Sequence, residues 1–518
     1  MKNQIIIFFA YLTCAVLFWV TLQSQTVAES DQVIAKEYFP EIVPDYLGVT
    51  IPPNIAPLNF IIKEAGEKFE VKVTGQDETT LEIKSRDGNI QFPMKAWKRL
   101  LAANRGRSIS LNISTKVGDS LHQYPEARIH VAEEPIDAFM TYRLINPASV
   151  LWADMGIYQR NLETFDESVI LKNRMIEDGC VNCHTFNHND PERFLLHIRK
   201  GDPSGTLLYR NGELLKVNTA TDFNRAGTYA SWHPNSNIIA FSVNKLEMFF
   251  HAVGEPRDVL DRASDIIIYN IAKNQVTAKP SFADTARMET FPAWSPKGNY
   301  LYFCSCPPFE SFLQGNDFNY QDIYYDLYRV PYDAESDTWG DLELVLDSQT
   351  LNASLTQPQV SPDDQYLMFC ASDDGHFPIY KPSTDLYLLN LHNGDYRRLE
   401  VNSDQAETFH RWSSDGRWFV FSSKRLDGTY ARPHFAYFEE DGSVHKPFVL
   451  PQKDPEYYSS YLTTYNRPEL ITGPISVRPQ VLVKTAYDNV NKINATLDPQ
   501  IVTESKVKDD GIMYRVAP

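Results

Sequence analysis

Ala230-Ser-Trp-His-Pro-Asn-Ser-Asn-Ile-Ile-Ala-Phe-Ser242 decides the fold, because the chain writes the same pattern three more times. Pro292-Ala-Trp-Ser-Pro-Lys-Gly-Asn-Tyr-Leu-Tyr-Phe-Cys304, Gln359-Val-Ser-Pro-Asp-Asp-Gln-Tyr-Leu-Met-Phe-Cys370 and Arg411-Trp-Ser-Ser-Asp-Gly-Arg-Trp-Phe-Val-Phe-Ser422 keep its spacing. Phe241, Phe303, Phe369 and Phe421 are equivalent positions, separated by 62, 66 and 52 residues. Each copy is a turn that enters an alternating strand, and a further strand follows: Asp265 to Tyr269, Asp326 to Val330 or Asp385 to Leu389. A turn with three or four strands at this period is the pattern of a propeller blade. One blade cannot bury its two faces alone, so the copies must stack around an axis.

Composition agrees with a β-rich body. The 518 residues exceed what one hydrophobic core usually organises, and 32 Pro with 13% aromatics favour strands and turns over a helical bundle. With 43% hydrophobic and 22% charged residues the chain is not disordered overall. Acidic residues outnumber basic ones 67 to 49, for a net charge of −18, which lacks the cationic footprint of a nucleic-acid binder.

The repeat resembles that of the TolB-like, WD40-like (PD40) β-propellers, P-x-W-S-P-D-G-x-x-I-A-F, over roughly residues 205–450. Val360 replaces the Trp of the third copy, and Ser414 the Pro of the fourth. Four blades are explicit. Gly205 to Leu215 supplies a fifth, and strands from either end of the chain are available for a sixth. The resemblance implies a periplasmic interaction module with a protein partner. The fold class expected is therefore mainly β: a TolB-like propeller of five to six blades, preceded by a small β-rich domain and a connector.

That connector carries the motif with the plainest chemistry. Gly179-Cys180-Val-Asn-Cys183-His184 contains C-x-x-C-H, the attachment sequence of c-type haem. Two thiols three residues apart on a helical turn form thioethers to the haem vinyls, and the next residue, His184, becomes the proximal iron ligand. The expectation is one covalent haem c on Cys180 and Cys183. For the distal ligand the candidates are His197, in Phe194-Leu-Leu-His-Ile-Arg199, and either Met155 or Met175; an open site is the further choice. His188 follows His184 by four residues beside Asn187, Asn189 and Pro191, which oppose a continued helix. Two competing readings of the pair are a redox dithiol and half a zinc site completed by Cys304 and Cys306. Against zinc, Cys304 and Cys370 fall in register with Ser242 and Ser422, where a small strand residue is wanted. His233 reads as a turn residue, and the Asp-rich turns lack the spacing of a calcium loop. No nucleophile elbow, H-E-x-x-H or phosphate loop is present, so no catalytic residue is assigned.

The first residues bear on the compartment. Lys2 precedes an uncharged apolar run from Ile5 to Leu22, and Thr26-Val-Ala28 closes with small residues. This reads as a secretory signal or, given its length, as an N-terminal inner-membrane anchor. Cys14 lies within that run as an apolar filler. The chain then divides into 1–28 (signal or anchor), 29–133 (Pro-rich lead-in and small β-rich domain), 134–200 (haem c connector), 201–480 (propeller) and 481–518 (C-terminal extension). The function expected is that of an exported, periplasmic mono-haem cytochrome fused to a propeller, passing electrons or docking in the envelope. The alternatives are a haem-dependent oxidoreductase with an open distal site and a non-redox envelope scaffold.

Overall fold

The computed structural model describes residues 32–146, 154–199, 201–249, 258–308 and 320–501. The stretch expected to be an export segment or anchor, with Cys14, lies outside them. Among the described residues, no helix is long and apolar enough to cross a membrane.

Six sheets of four or five strands form the propeller. From the axis outward, blade 1 runs Thr464–Ile471, Phe139–Ile145, Gly156–Asn161, Glu167–Lys172, and blade 2 runs Cys180–Asn187, Asp190–Arg199, Gly205–Arg210, Glu213–Asn218. Blade 3 runs Ala230–Trp232, Ile238–Phe249, Asp258–Asn270, Gln275–Thr277. Blade 4 runs Met288–Trp294, Tyr300–Cys306, Asp326–Asp333, with Thr338–Trp339 and Glu343–Leu346 at its rim. Blade 5 runs Ser354–Val360, Tyr366–Ser372, Asp385–Asn390, Tyr396–Arg398, and blade 6 runs Glu407–Trp412, Trp418–Ser423, Arg432–Tyr437, Phe448–Val449. Each inner strand packs on the next, and Thr464–Ile471 packs between the inner strands of blades 6 and 2, so the ring is closed.

Two boundaries move. Residues 134–200, expected as a connector, supply three strands of blade 1 and the inner two of blade 2. The Gly205–Leu215 segment, read as a blade of its own, is the outer half of blade 2. The repeat pattern misses both for a physical reason. Blade 2 turns at His188-Asn189, with φ of 53° and 58°, as a two-residue hairpin in place of the longer Pro/Asp/Gly turn. Blade 1 takes its inner strand from the far end of the chain. The propeller also extends beyond residue 480. Helix Pro479–Ala486 buries Leu482 and Ala486 between blades 1 and 2, while Ile493–Asn494 and Thr496–Leu497 add parallel edge strands to blades 2 and 3.

The N-terminal domain is a seven-stranded sheet that includes Lys68–Thr74, Thr80–Ser85 and Arg107–Val117, with helix Met94–Ala103 and a three-stranded sheet of Ile42–Val43, Phe60–Ile62 and Asn89–Ile90. Alternate residues of its long strands are buried, the period-two pattern of a sheet with one covered face. Its core is continuous with blade 6 through Trp418, Phe435, Tyr437 and Phe448. The Trp418 indole N–H donates to the Glu134 carbonyl at 3.1 Å, so this contact is directional as well as apolar.

Candidate functional site: the propeller axis

The inner strands share one irregularity, and it builds the site. In five blades a β-bulge interrupts the inner pairing at a residue with positive φ: Cys183 (45°), Phe291 (52°), Gln357 (54°), Phe409 (51°) and Arg467 (49°). A bulge re-aims a side chain out of the pleat, and left-handed backbone is unfavourable for residues other than glycine, so its fivefold use is a built feature of the ring. Tyr229 is the equivalent residue of blade 3. The next position holds His184, Ala230, Pro292, Pro358, His410 or Pro468. The last two residues of C-x-x-C-H thus stand in slots of the blade repeat.

These residues surround a cavity of about 40 Å³ lined by Tyr229, Phe291, Gln357, Phe409, Arg411 and Arg467 among others, with room for a few water molecules. The Arg467 guanidinium stacks over Tyr229 at 5.6 Å and Phe409 at 5.7 Å, and its Nη1 lies 3.8 Å from Cys183 Sγ. Arg143 is half-buried nearby, donating to the side-chain oxygens of Asn182 and Asn466. Glu469 is buried in the same shell, where its Oε1 accepts from Thr185 Oγ1 at 3.2 Å and the Phe186 N–H at 3.0 Å. Burial raises the Glu469 pKa, and Arg411 and Arg467 pull it back. His184 is buried too. Burial, then the charges of Arg467, Arg143 and Arg411, hold its pKa well below the usual imidazole value, so the ring is neutral. Neither ring nitrogen makes a hydrogen bond of regular geometry. Burial raises the Cys180 thiol above its ordinary value, opposed by Arg199 and Arg143.

The segment 373–384 of blade 5 reaches the axial residue Phe291 and blade 3. His376 packs near Phe291 and Tyr325, with ring centroids 6.1 and 6.2 Å away. Lys381 pairs with Asp374 in its own segment and, at 3.0 Å, with Asp258 of blade 3. The three side chains are 13%, 9% and 11% exposed, so this ion pair across blade 4 is nearly dry.

The sequence-derived haem residues do not assemble into a haem site in this fold. Cys180, Cys183 and His184 lie on an extended strand, where the motif's chemistry needs a helical turn that presents all three to one side. Cys183, at the bulge, packs with Tyr229 and Phe291. His184 is paired with Leu196 and therefore shares its face, which lies in the cluster between blades 1 and 2. His197 follows Leu196 on the same strand and so faces the other way; its Nδ1 is 3.1 Å from Thr206 Oγ1, and burial lowers its pKa to about 3. His184 and His197 thus face opposite sides of the sheet here, whereas two axial ligands oppose each other across one iron. Met155 precedes blade 1's Gly156–Asn161; its N–H donates to Asn173 Oδ1 at 3.3 Å and its carbonyl accepts the Asn173 N–H at 3.0 Å. Met175 is half-buried in the 3₁₀ turn Asn173–Ile176. No group of three or more His, Cys, Asp or Glu suited to a metal occurs among the described residues.

The remaining residues are simpler. His233 Nδ1 accepts the N–H groups of Asn235 and Ser236, so Nε2 carries the proton and donates to the Gly298 carbonyl at 3.0 Å: a turn residue. Cys304 and Cys370 are fully buried second-strand residues, as are Ser242 and Ser422. Cys306 is buried against the Tyr325 hydroxyl. Arg467, Arg411 and Gln357 were not singled out from sequence. Their signal was present two residues ahead of the repeat as read: Thr290-Phe-Pro-Ala-Trp294, Thr356-Gln-Pro-Gln-Val360, Thr408-Phe-His-Arg-Trp412 and Asn466-Arg-Pro-Glu-Leu470 align with Asn182-Cys-His-Thr-Phe186.

No family model matches the chain, and no curated protein matches it. Solved structures with a similar course of chain include a nidogen/laminin complex, 11% identical over 64% of this chain and 100% of that one, with a TM-score of 0.36. An auxiliary nutrient binding protein from Bacteroides thetaiotaomicron VPI-5482 is 9% identical over 78% of this chain and 98% of its own, with a TM-score of 0.33. One of two prolyl endopeptidases analysed for inter-domain dynamics is 12% identical over 61% and 42%, with a TM-score of 0.34. Likeness at this level extends to no activity, substrate or partner.

Proposed function

We propose that the chain is an exported binding module of the cell envelope, a propeller of the TolB-like kind, in which the C-x-x-C-H segment is a blade strand serving the axis and carries no haem. The observation that supports this most directly is the register of Cys183 and His184. They fill the same two inner-strand slots as Arg467-Pro468, Phe291-Pro292 and Phe409-His410, so the blade repeat accounts for their place. The apolar run after Lys2 supports export, and the closed ring supports a rigid docking body rather than a mobile electron carrier. The test is to express the full chain beside a cytochrome c maturation system. The expected product is colourless, negative in a haem stain on a denaturing gel, and of unmodified mass after signal removal.

One observation favours a second reading, that of a haem c protein. Neither ring nitrogen of the buried His184 makes a hydrogen bond of regular geometry, as is expected of a metal ligand without its metal. That reading requires Cys180 to His184 to leave the inner edge of blade 2. A haem stain that survives denaturation and is lost in Cys180→Ala would establish it and remove the first.

A further inference from the structure

The axis is short of negative charge. Arg411 and Arg467 both line the cavity, and Arg143 lies close enough to repel Arg467. Glu469 is the carboxylate that acts on Arg411 and Arg467, and its Oε1 is already taken up by Thr185 and Phe186. A further donor is unused. Gln357 is 6% exposed, and its Oε1 accepts the Phe409 N–H at 2.9 Å. An amide N–H needs an acceptor there, which fixes the orientation of the side chain and leaves Nε2 on the other side without a partner in the cavity wall. A buried amide without a partner costs about 1–3 kcal/mol, so its retention beside cationic groups calls for an acceptor. The rings of Tyr229 and Phe409 hold the Arg467 guanidinium in place, so its fork is oriented before anything binds.

We propose that the axial chamber binds a small carboxylate, gripped by Arg467 and Arg411 with the Gln357 amide as a third donor, and walled by Tyr229, Phe291 and Phe409. The shape selects among anions. A carboxylate offers two oxygens in one plane and an apolar remainder, which matches a planar guanidinium and an amide facing aromatic walls. A phosphate presents oxygens on every side, and the aromatic walls would leave several unpaired. The size of the cavity limits the guest to a short acid or to the carboxylate end of a longer molecule.

The inference rests on the binding-module reading, so haem-stain-negative full-length protein is selected first and titrated calorimetrically with sodium acetate at constant ionic strength. The expected result is saturable acetate binding, with phosphate at least about tenfold weaker and chloride inert. Arg467→Gln and Gln357→Glu each weaken acetate at least about tenfold, with unchanged circular dichroism. The proposal is overturned if haem-free wild-type protein takes up no acetate, if phosphate binds equally well, or if both variants bind acetate like wild type. The wild-type titration decides the matter even where a variant fails to fold. A haem-stained product instead removes the parent reading before any titration begins.

Discussion

Arg467 reaches from the inner strand of blade 1 to Cys183 on the adjoining inner strand of blade 2, its Nη1 3.8 Å from the sulfur, and so ties the strand that closes the ring to the strand that holds the thiol pair. The two residues are 284 positions apart in sequence. The expectations that follow concern how this closure is held and what its core contains.

Arg432 is the strongest case of a buried charge held without a carboxylate. It is fully buried, donates to the carbonyls of Tyr461 and Thr463 just before the closing strand, and is surrounded by the rings of Tyr430, Tyr458, Tyr461 and Tyr465 at 5.2–5.9 Å. Arg432→Lys keeps the charge but loses the two-pronged donation and much of the stacking. We expect a loss of about 2–4 kcal/mol in urea unfolding. A loss below about 0.5 kcal/mol, the scale of an ordinary surface change, would show that closure does not depend on this cluster.

The Lys381 ion pair fastens the segment 373–384 of blade 5 to blade 3. Lys381→Met leaves Asp258 and Asp374 buried without their cation, and about 3 kcal/mol of stability should go with it. Adding Asp374→Asn should restore part of that loss, measured as a double-mutant cycle. Strict additivity of the two substitutions would contradict the coupling.

Asp261, whose Oδ2 accepts from Asn244 Nδ2 at 2.7 Å, has its pKa pushed up to about 7 by burial. Its unfolded value is about 3.9, so the folded chain keeps a proton that the unfolded chain releases across the window between the two. Stability from this group is therefore full below about pH 4 and is lost as pH rises towards 7. In Asp261→Asn that decline should vanish, so the variant gains on wild type between pH 4.5 and pH 8, by roughly a few kcal/mol at most. Equal pH profiles for the two proteins would mean that the carboxyl is ionised in the folded state.

Cys180, Cys183, Cys304, Cys306 and Cys370 are all free and buried, and burial pushes the Cys304, Cys306 and Cys370 thiols far above the normal range. A thiol reagent should leave these five unmodified in native protein and reach them all in guanidinium, by mass spectrometry of alkylated peptides. Alkylation of Cys180 and Cys183 in the unfolded sample also excludes thioethers at those sulfurs. Rapid native labelling of either residue would show that blade 2 opens at its inner edge.

The outer architecture was legible because turn chemistry and alternation are local. Pro, Asp and Gly at fixed offsets before Phe241, Phe303, Phe369 and Phe421 marked four blades, and Lys68–Thr74 and Arg107–Val117 alternate visibly. Blade 1 was not legible, since nothing near Phe139–Ile145 announces that Thr464–Ile471 will pair with it. The axial residues were hidden differently. In five blades their slot is defined by a bulge, and a bulge tolerates Cys, Phe, Gln or Arg alike because each points at the axis rather than into a shared core. C-x-x-C-H misled for the same reason: its spelling carries a helical geometry that the neighbouring strands override.

The arrangement of blade 1 has a consequence for how the molecule comes into being. Strand Phe139–Ile145 has its outer neighbour early, but its inner side stays unpaired until Thr464–Ile471 has been made. A nascent chain can therefore assemble blades 2 to 6 in order and still be an open arc with one bare edge, the state most exposed to mispairing with a second copy. Completion is a single late event, more like fastening a clasp than adding a last bead. A stalled or shortened product that lacks those eight residues is expected to accumulate as aggregate rather than as a slightly smaller propeller.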